Sequence, residues 1–432
     1  MAPPLLWSAH MLKWILFSFA LTACATDDPS IDLDVDVDDG ELLDEPAQPS
    51  ISSDGEDVQT LAACSVTVNQ KSELMITDLA VVDDPVRTKW TGSLATASDG
   101  AWHFGRLMTE MAGANDPEAF VRTWLQQWAA PRTVNGQVVP ARPISQVLGA
   151  WPKLAGGKLD LTKPPLRLLA IVNRFDLRAP GNAGEGRFVF GVLDAAGNPQ
   201  QFTVILEYKL PAADAAAVAT WAADWHALGT LARGSAAYRT KLQTITRKFA
   251  RRNASPSRPN GSAISQVRTN EIALAFPWEL REFHLTTTGQ LRMATLAQTP
   301  ANNFDNTAVL ASYMTANAAA IKAQNHVVPA SFQGQPFAAP NIFNNIDFWN
   351  APGITDNTLR FRFSLNTCNG CHGAETSTGF LHVNPRSAGQ EAQLSGFLTG
   401  ETVQDPVVPT TTRTLDDLQR RANGLRAFLC AP

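Results

Sequence analysis

The chain has 432 residues, 44% hydrophobic and 17% charged, with eleven Trp and 21 Phe, a composition that excludes a wholly disordered or collagen-like chain and suffices for one large or two ordinary domains. Its formal charge of −5 is divided: residues 1–57 hold thirteen Asp or Glu and one Lys (Lys13), which leaves 34 basic and 27 acidic residues, about +7, on the rest. That excess is spread out, clustering only at Arg247, Lys248, Arg251 and Arg252, which read as a solvated helix face, so no nucleic acid is expected as a partner.

Near the start, Lys13 precedes a short apolar run and then small residues before Cys24. The run is too short to span a membrane and reads as a signal peptide over 1–23, with translation expected to begin at Met11. Leu21-Thr22-Ala23-Cys24 resembles the bacterial lipobox. The resemblance implies cleavage before Cys24, lipidation of that Cys and, with Ala25 rather than Asp after it, sorting to the outer membrane. The expected localisation is therefore the cell envelope, lipid-anchored and facing the periplasm or the cell surface, with the membrane as a partner through the anchor. An ordinary cleaved signal with an incidental Cys24 is the alternative, and either way the mature chain leaves the cytoplasm. Residues 24–60 then form an acidic tether. From Asp27 to Asp57 there is no Lys or Arg, and Pro29, Pro46 and Pro49 interrupt it, so it buries too little to fold. Asp34, Asp36, Asp38 and Glu45 imitate the spacing of a calcium loop, but Gly40 falls one residue late and no helices flank them.

Residues 61–330 read as an α+β domain, a mixed, largely antiparallel sheet with flanking helices. Helices are expected over 102–112 and 116–129, the second with Asp116 as N-cap and Phe120, Trp124 and Trp128 at i, i+4, i+8, a stripe that at helical spacing marks core. Strands are expected over 166–173, 187–193, 202–210, 263–276, 278–285 and 291–297, with helices over 212–231 and 235–252 between them. Gly181-x-x-Gly184-x-Gly186 lies between two strands without a following helix, which favours a wide hairpin loop over a phosphate cradle. A further helix is expected over 304–323 and a Pro/Gly-containing connector over 329–340.

Charged residues recur inside these strands, among them Arg174, Asp176, Glu185, Arg187, Glu207, Arg268, Glu271, Glu279, Arg281, Glu282 and His284. A carboxylate at Glu207, on a covered strand, needs a basic partner. One reading is a substrate pocket with Glu207 or Glu282 as base and Arg268 as anion clamp. The other, which the pattern favours, is a structural ion-pair network or the wet face of an antiparallel sheet. No G-x-S-x-G, H-E-x-x-H or Walker motif occurs, so the catalytic residues of common hydrolases and nucleotide enzymes are not found.

The region 331–432 carries Cys368-Asn-Gly370-Cys371-His372. Two thiols three apart on a tight turn can reach the two vinyl groups on one porphyrin edge, and the adjacent imidazole can reach the iron. Gly370 is expected there for backbone angles that a Cβ forbids. Residues 359–364 alternate like a strand and run into the pair. The pentapeptide resembles the attachment motif of c-type cytochromes, as does, more loosely, the amphipathic helix expected over 416–429. The resemblance implies a small C-terminal cytochrome-c-like haem segment with one covalent haem c, Cys368 and Cys371 on the porphyrin and His372 as proximal iron ligand. The last methionine is Met314, and the only histidine after His372 is His382. The sixth ligand would be His382, a residue folded in from earlier (Met314, Met293 or His326), or nothing. With Cys24 lipidated and two Cys on haem, Cys64 and Cys430 remain and are expected to form a disulfide. Two other readings stay open: a Cys368–Cys371 disulfide with His372 a bystander, or zinc held by Cys368, Cys371, His372 and His382. The expected function is that of an exported, lipid-anchored c-type haem protein in electron transfer or haem redox chemistry, with an unknown redox partner. The alternative is a non-catalytic envelope lipoprotein without haem. An enzyme acting on its own substrate is the less favoured form of the first reading.

Overall fold

The computed structural model describes residues 64–343 and 347–431. The signal peptide, Cys24, the tether and the calcium-like Asp34, Asp36, Asp38 and Glu45 lie outside these residues. In chain order the principal elements are β1 (Met75–Ile76), α1 (Phe104–Ala112), α2 (Pro117–Leu125), β2 (Leu166–Arg174), β3 (Asn182–Leu193), β4 (Pro199–Pro211), α3 (Ala215–His226), α4 (Ala236–Ala250), β5 (Ile264–Glu271), β6 (Glu279–Leu285), β7 (Leu291–Ala294), α5 (Ala308–Ala316), α6 (Ala318–Lys322), β8 (Ile342–Phe343), α7 (Asn357–Leu365), α8 (Cys368–Cys371) and α9 (Asp417–Cys430). The eight strands make one sheet in the order β1-β2-β3-β4-β5-β6-β8, with β7 also on β6, and every pairing is antiparallel. The α+β class and the largely antiparallel sheet with flanking helices are thus as the residue pattern indicates. Among the described residues no helix is long and apolar enough to cross a membrane.

Register explains why the two faces differ. Phe188, Leu206, Val267 and Phe283 stand opposite one another across β3, β4, β5 and β6, forming an apolar row on one face. Helices α1, α2 and α4 cover it: Phe104 meets Phe190 edge-on at 5.3 Å, Trp124 and Trp128 lie 5.9 and 4.9 Å from Phe283, and Phe249 lies 5.9 Å from Phe188. The tryptophan stripe is therefore core, and Asp116 caps its helix by accepting from the Ala119 N–H at 2.8 Å. Gly186 admits this packing, since a Cβ there would stand 2.3 Å from the Phe249 ring. One residue along each strand the side chains turn over. Arg187 opposes Glu207, and Ile205, Arg268 and Glu282 align on the second face.

The segment expected as a strand over 359–364 is helix α7, a correction with a clear cause. Asp356 caps it, accepting from the N–H groups of Thr358 and Leu359. Phe361 and Leu365, four apart, enter the main core, whereas Leu359 and Phe363, also four apart, enter a second core with Trp278, Tyr313, Met314, Phe337 and Trp349. Between them Arg360 is buried against Glu375 and Asp405. A helix wedged between two cores thus imitates strand alternation, because Arg360, one of its two arginines, is buried with counter-charges instead of facing water. The 304–323 helix forms as α5 and α6 with a break at Asn317.

Helix α9 lays Leu418, Ala422 and Leu425 into the main core, and Cys430 at its end is bonded to Cys64 with Cα atoms 5.9 Å apart, within the usual disulfide range. A separate cytochrome-c-like segment is not shown; α7 and α9 share their cores with the sheet. On α4, Arg247 pairs with Glu110 and Lys248 with Asp224.

Candidate functional site

The second face of the sheet floors a cavity of about 190 Å³, to which Val172, Arg174, Arg187, Val189, Thr203, Ile205, Glu207, Arg268, Asn270 and Leu280 contribute. The chain after α7 roofs it with Cys368, Cys371, His372, His382, Phe397, Asp417 and Arg421. The motif residues and four of the strand charges, Arg174, Arg187, Glu207 and Arg268, read separately from sequence, therefore face one space. The structural reading of those charges holds in geometry. Glu207 is fully buried, accepts from Gln266 at 2.8 Å, and pairs with Arg187 at 3.0 Å and Arg268 at 3.3 Å. Arg268 also holds Glu282 at 2.8 Å, whose other oxygen lies 2.8 Å from His284. Burial pushes the Glu207 carboxyl up despite both arginines. For Glu282 burial acts the same way, but Arg268 and His284 outweigh it and hold the group at about 2.

This depressed value has a consequence for stability. A carboxyl whose folded value lies below its unfolded value stabilises the fold above the unfolded value, and that contribution is lost as pH falls through the folded one. Glu282, and Asp405 held at about 2 against its own burial by backbone N–H groups, Asn357 and Arg413, should make the urea midpoint fall most steeply between about pH 4.5 and 2. A midpoint flat across that window would contradict the assignment.

The roof is built locally. Thr367 caps α8, its hydroxyl accepting from the Gly370 N–H at 3.1 Å. Gly370 does not adopt a left-handed conformation; it is required because a Cβ would stand 2.1 Å from the Ser364 carbonyl oxygen. The expectation of special backbone angles is thereby replaced by one of close approach. Cys368 and Cys371 are free thiols, part-buried, on this single turn. His372 directs Nδ1 to the Phe380 carbonyl oxygen at 2.6 Å. That carbonyl also accepts from the Asn270 amide at 3.0 Å, and the indole of Trp278, 5.4 Å from the His372 ring, donates to Asn270. Burial lowers the imidazole to about 4, so at neutral pH it is uncharged, with Nδ1–H donating and Nε2 carrying the lone pair. A histidine that offers Nε2 to a metal has this tautomer.

His382 also lies here, with Nε2 3.4 Å from the Cys371 sulfur and Nδ1 2.9 Å from the Ser395 hydroxyl. Its ring centre is 4.3 Å from that of His372. Two imidazoles across one metal, each bonded at about 2 Å, would have centres roughly 6 Å apart; here the rings are closer and are tilted by 45° to one another. The other sixth-ligand candidates are elsewhere. Met293 is in the main core, Met314 in the second, and His326 is buried 5.8 Å from Phe363. Among the described residues no group of three or more His, Cys, Asp or Glu could hold a metal ion, so the four-ligand zinc reading finds no geometry.

Sequence reasoning missed Asn270 and Trp278 as supports of His372, and Asp417 and Arg421 as cavity residues. The last pair left a signal: Asp417 and Arg421, four apart, fall on the same helix stripe as Leu418, Ala422 and Leu425, and all five are buried. At this end of the cavity Arg174 holds Asp176 at 2.9 Å, Arg420 reaches Asp176 at 2.8 Å and Asp417 at 2.6 Å, and Arg421 pairs with Asp417. Compared with protein-family models, curated proteins and solved structures, the chain matches none of them.

Proposed function

We propose that the protein is an exported, lipid-anchored c-type haem protein that acts in electron transfer or haem-based redox chemistry. One observation carries the reading. Two free thiols on one turn and a neutral histidine, its Nδ1 tied to the Phe380 carbonyl, open into a cavity whose other walls are Val172, Val189, Ile205, Leu280 and Phe397 with arginines. The donor set fits the group, since the thiols of Cys368 and Cys371 would hold the porphyrin and His372 Nε2 the iron, whereas the cavity, at about 190 Å³, would have to widen to admit a macrocycle. Cys368 and Cys371 would hold it through two thioether bonds, whose formation from thiol and vinyl involves no net oxidation. When bound, the haem supplies one-electron chemistry; the chain's own part is to orient His372 through Phe380, Asn270 and Trp278, and to keep water from the apolar wall.

His382 is the distal-ligand candidate of this reading, and that role requires the two imidazole rings to part by about 2 Å. The test is a pyridine haemochrome spectrum and intact mass of the full chain made in a host with haem-attachment machinery. Wild type should carry one covalent haem, the Cys368→Ala/Cys371→Ala double variant none, and His372→Ala a covalently held but spectrally altered one. A colourless wild type with its two sulfurs joined would overturn the proposal and leave the envelope-lipoprotein reading.

A further inference from the structure

At about 190 Å³ the cavity in its present shape is matched to a small molecule, since an apolar cavity of roughly 150 Å³ holds a benzene-sized one. Val172, Val189, Ile205, Leu280 and Phe397 give it an apolar wall. Its two carboxylates are already countered: Glu207 pairs with Arg187 and Arg268, and Asp417 with Arg420 and Arg421. Arg174 is answered by Asp176, and Arg268 by Glu282 as well as Glu207, so the anion clamp anticipated at Arg268 is engaged within the chain. Arg421 differs from these. It is 6% exposed and lines the cavity together with Cys371 and His382. Its Nη2 pairs with Asp417, but Nε and Nη1 have no hydrogen-bond partner among the described residues. A guanidinium does not shed its proton to relieve this, and a buried donor left unsatisfied is costly enough to need a reason.

We propose that the cavity is a binding site for a short-chain monocarboxylate, with the carboxylate on Arg421 and the alkyl chain along the apolar wall. The flat, two-oxygen carboxylate is the shape that a guanidinium fork matches. The pairing with Asp417 holds the side chain from one side and leaves its other N–H groups for the ligand. The remaining walls decide between an organic and an inorganic anion. Five apolar side chains gain from contact with a hydrocarbon chain and offer nothing to the further oxygens of a sulfate or phosphate. Size sets the chain length. A space somewhat larger than the benzene case takes roughly six to eight non-hydrogen atoms, which is butanoate to hexanoate. The site belongs to the chain with its thiols free and does not rest on the haem reading; a macrocycle in a widened cavity would take the same space.

The experiment is isothermal titration calorimetry of the full chain with the unbranched carboxylates from acetate to octanoate. Both motif thiols are kept reduced, as they are in the structure, and the absence of covalent haem is verified by mass. Affinity should rise about fourfold per methylene as far as pentanoate or hexanoate and fall at octanoate. Arg421→Gln should weaken pentanoate about tenfold or more while leaving pentanamide, of the same shape but uncharged, unaffected. Arg421→Lys should recover part of the loss. Should Arg421→Gln fail to fold, the preference of wild type for pentanoate over pentanamide and the loss of all binding in Ile205→Phe, which fills the wall and leaves Arg421 in place, decide the matter. No saturable binding of any carboxylate would mean that water alone answers Arg421. Affinity that ignores chain length, or sulfate bound as tightly as pentanoate, would mean that the apolar wall takes no part. Either result overturns the proposal and leaves the haem reading, which the haemochrome spectrum decides separately, where it stood.

Discussion

Replacing Cys430 with serine is expected to cost about 5 kcal/mol of unfolding free energy, the largest effect of any single change outside the cavity. The bond closes a loop with a sequence separation of 366. In the chain-entropy model the gain grows logarithmically with loop length, so a closure this long stands near the upper end of what a disulfide contributes. The ends it joins are ready for it: Arg426 donates to the Cys64 carbonyl at 3.1 Å, and Phe428 meets Phe175 at 4.9 Å. The effect therefore falls mainly on the unfolded chain, and the folded helix should stay docked through Leu418, Ala422 and Leu425. Urea midpoints of oxidised wild type, Cys430→Ser and Cys64→Ser/Cys430→Ser measure it. The double variant matters because it removes any effect of a lone thiol; if it lies within 1 kcal/mol of wild type, the closure model is wrong for this chain.

Arg360→Met should destabilise by about 3–5 kcal/mol at pH 7, as removal of one partner from a buried ion pair does. Arg360 is 3% exposed, and its guanidinium is shared by Glu375 and Asp405, which are 0% and 1% exposed. Asp405 retains Arg413 at 2.9 Å, whereas among the described residues Arg360 is the one cation on Glu375. Burial already raises the Glu375 carboxyl, so without the arginine it would be protonated at a still higher pH. The penalty should consequently shrink as pH is lowered from 7 toward 5, since a neutral carboxyl tolerates the site. A urea series of wild type and variant at both pH values gives the answer, and an equal penalty at each would show that lost packing, not a stranded charge, is responsible. Because Glu375 lies three residues after His372, the same variant should also loosen the roof of the cavity.

The contrast between these regions shows what a linear sequence can carry. The strands and their two faces were legible because alternation in β3, β4 and β5 reports directly which side meets the helices. The helix cap at Asp116 was equally local. Helix α7 was not legible, because its arginine is neutralised by Glu375 and Asp405, 15 and 45 residues away. The candidate site was half legible. The motif named Cys368, Cys371 and His372, and the strand charges named Arg268 and Glu207, but only folding brings them to one space. Arg421 and Asp417 lay hidden in a stripe that reads as ordinary amphipathic helix.

The Cys64–Cys430 bond also determines how the molecule bears load. Tension applied between the chain ahead of Cys64 and the chain after Cys430 passes straight across the sulfur bridge, and residues between the two cysteines are shielded from it. The sheet, the cavity and the motif turn all lie inside that shielded span, so a pull between the two outer segments would strain a covalent bond before it could unzip a strand.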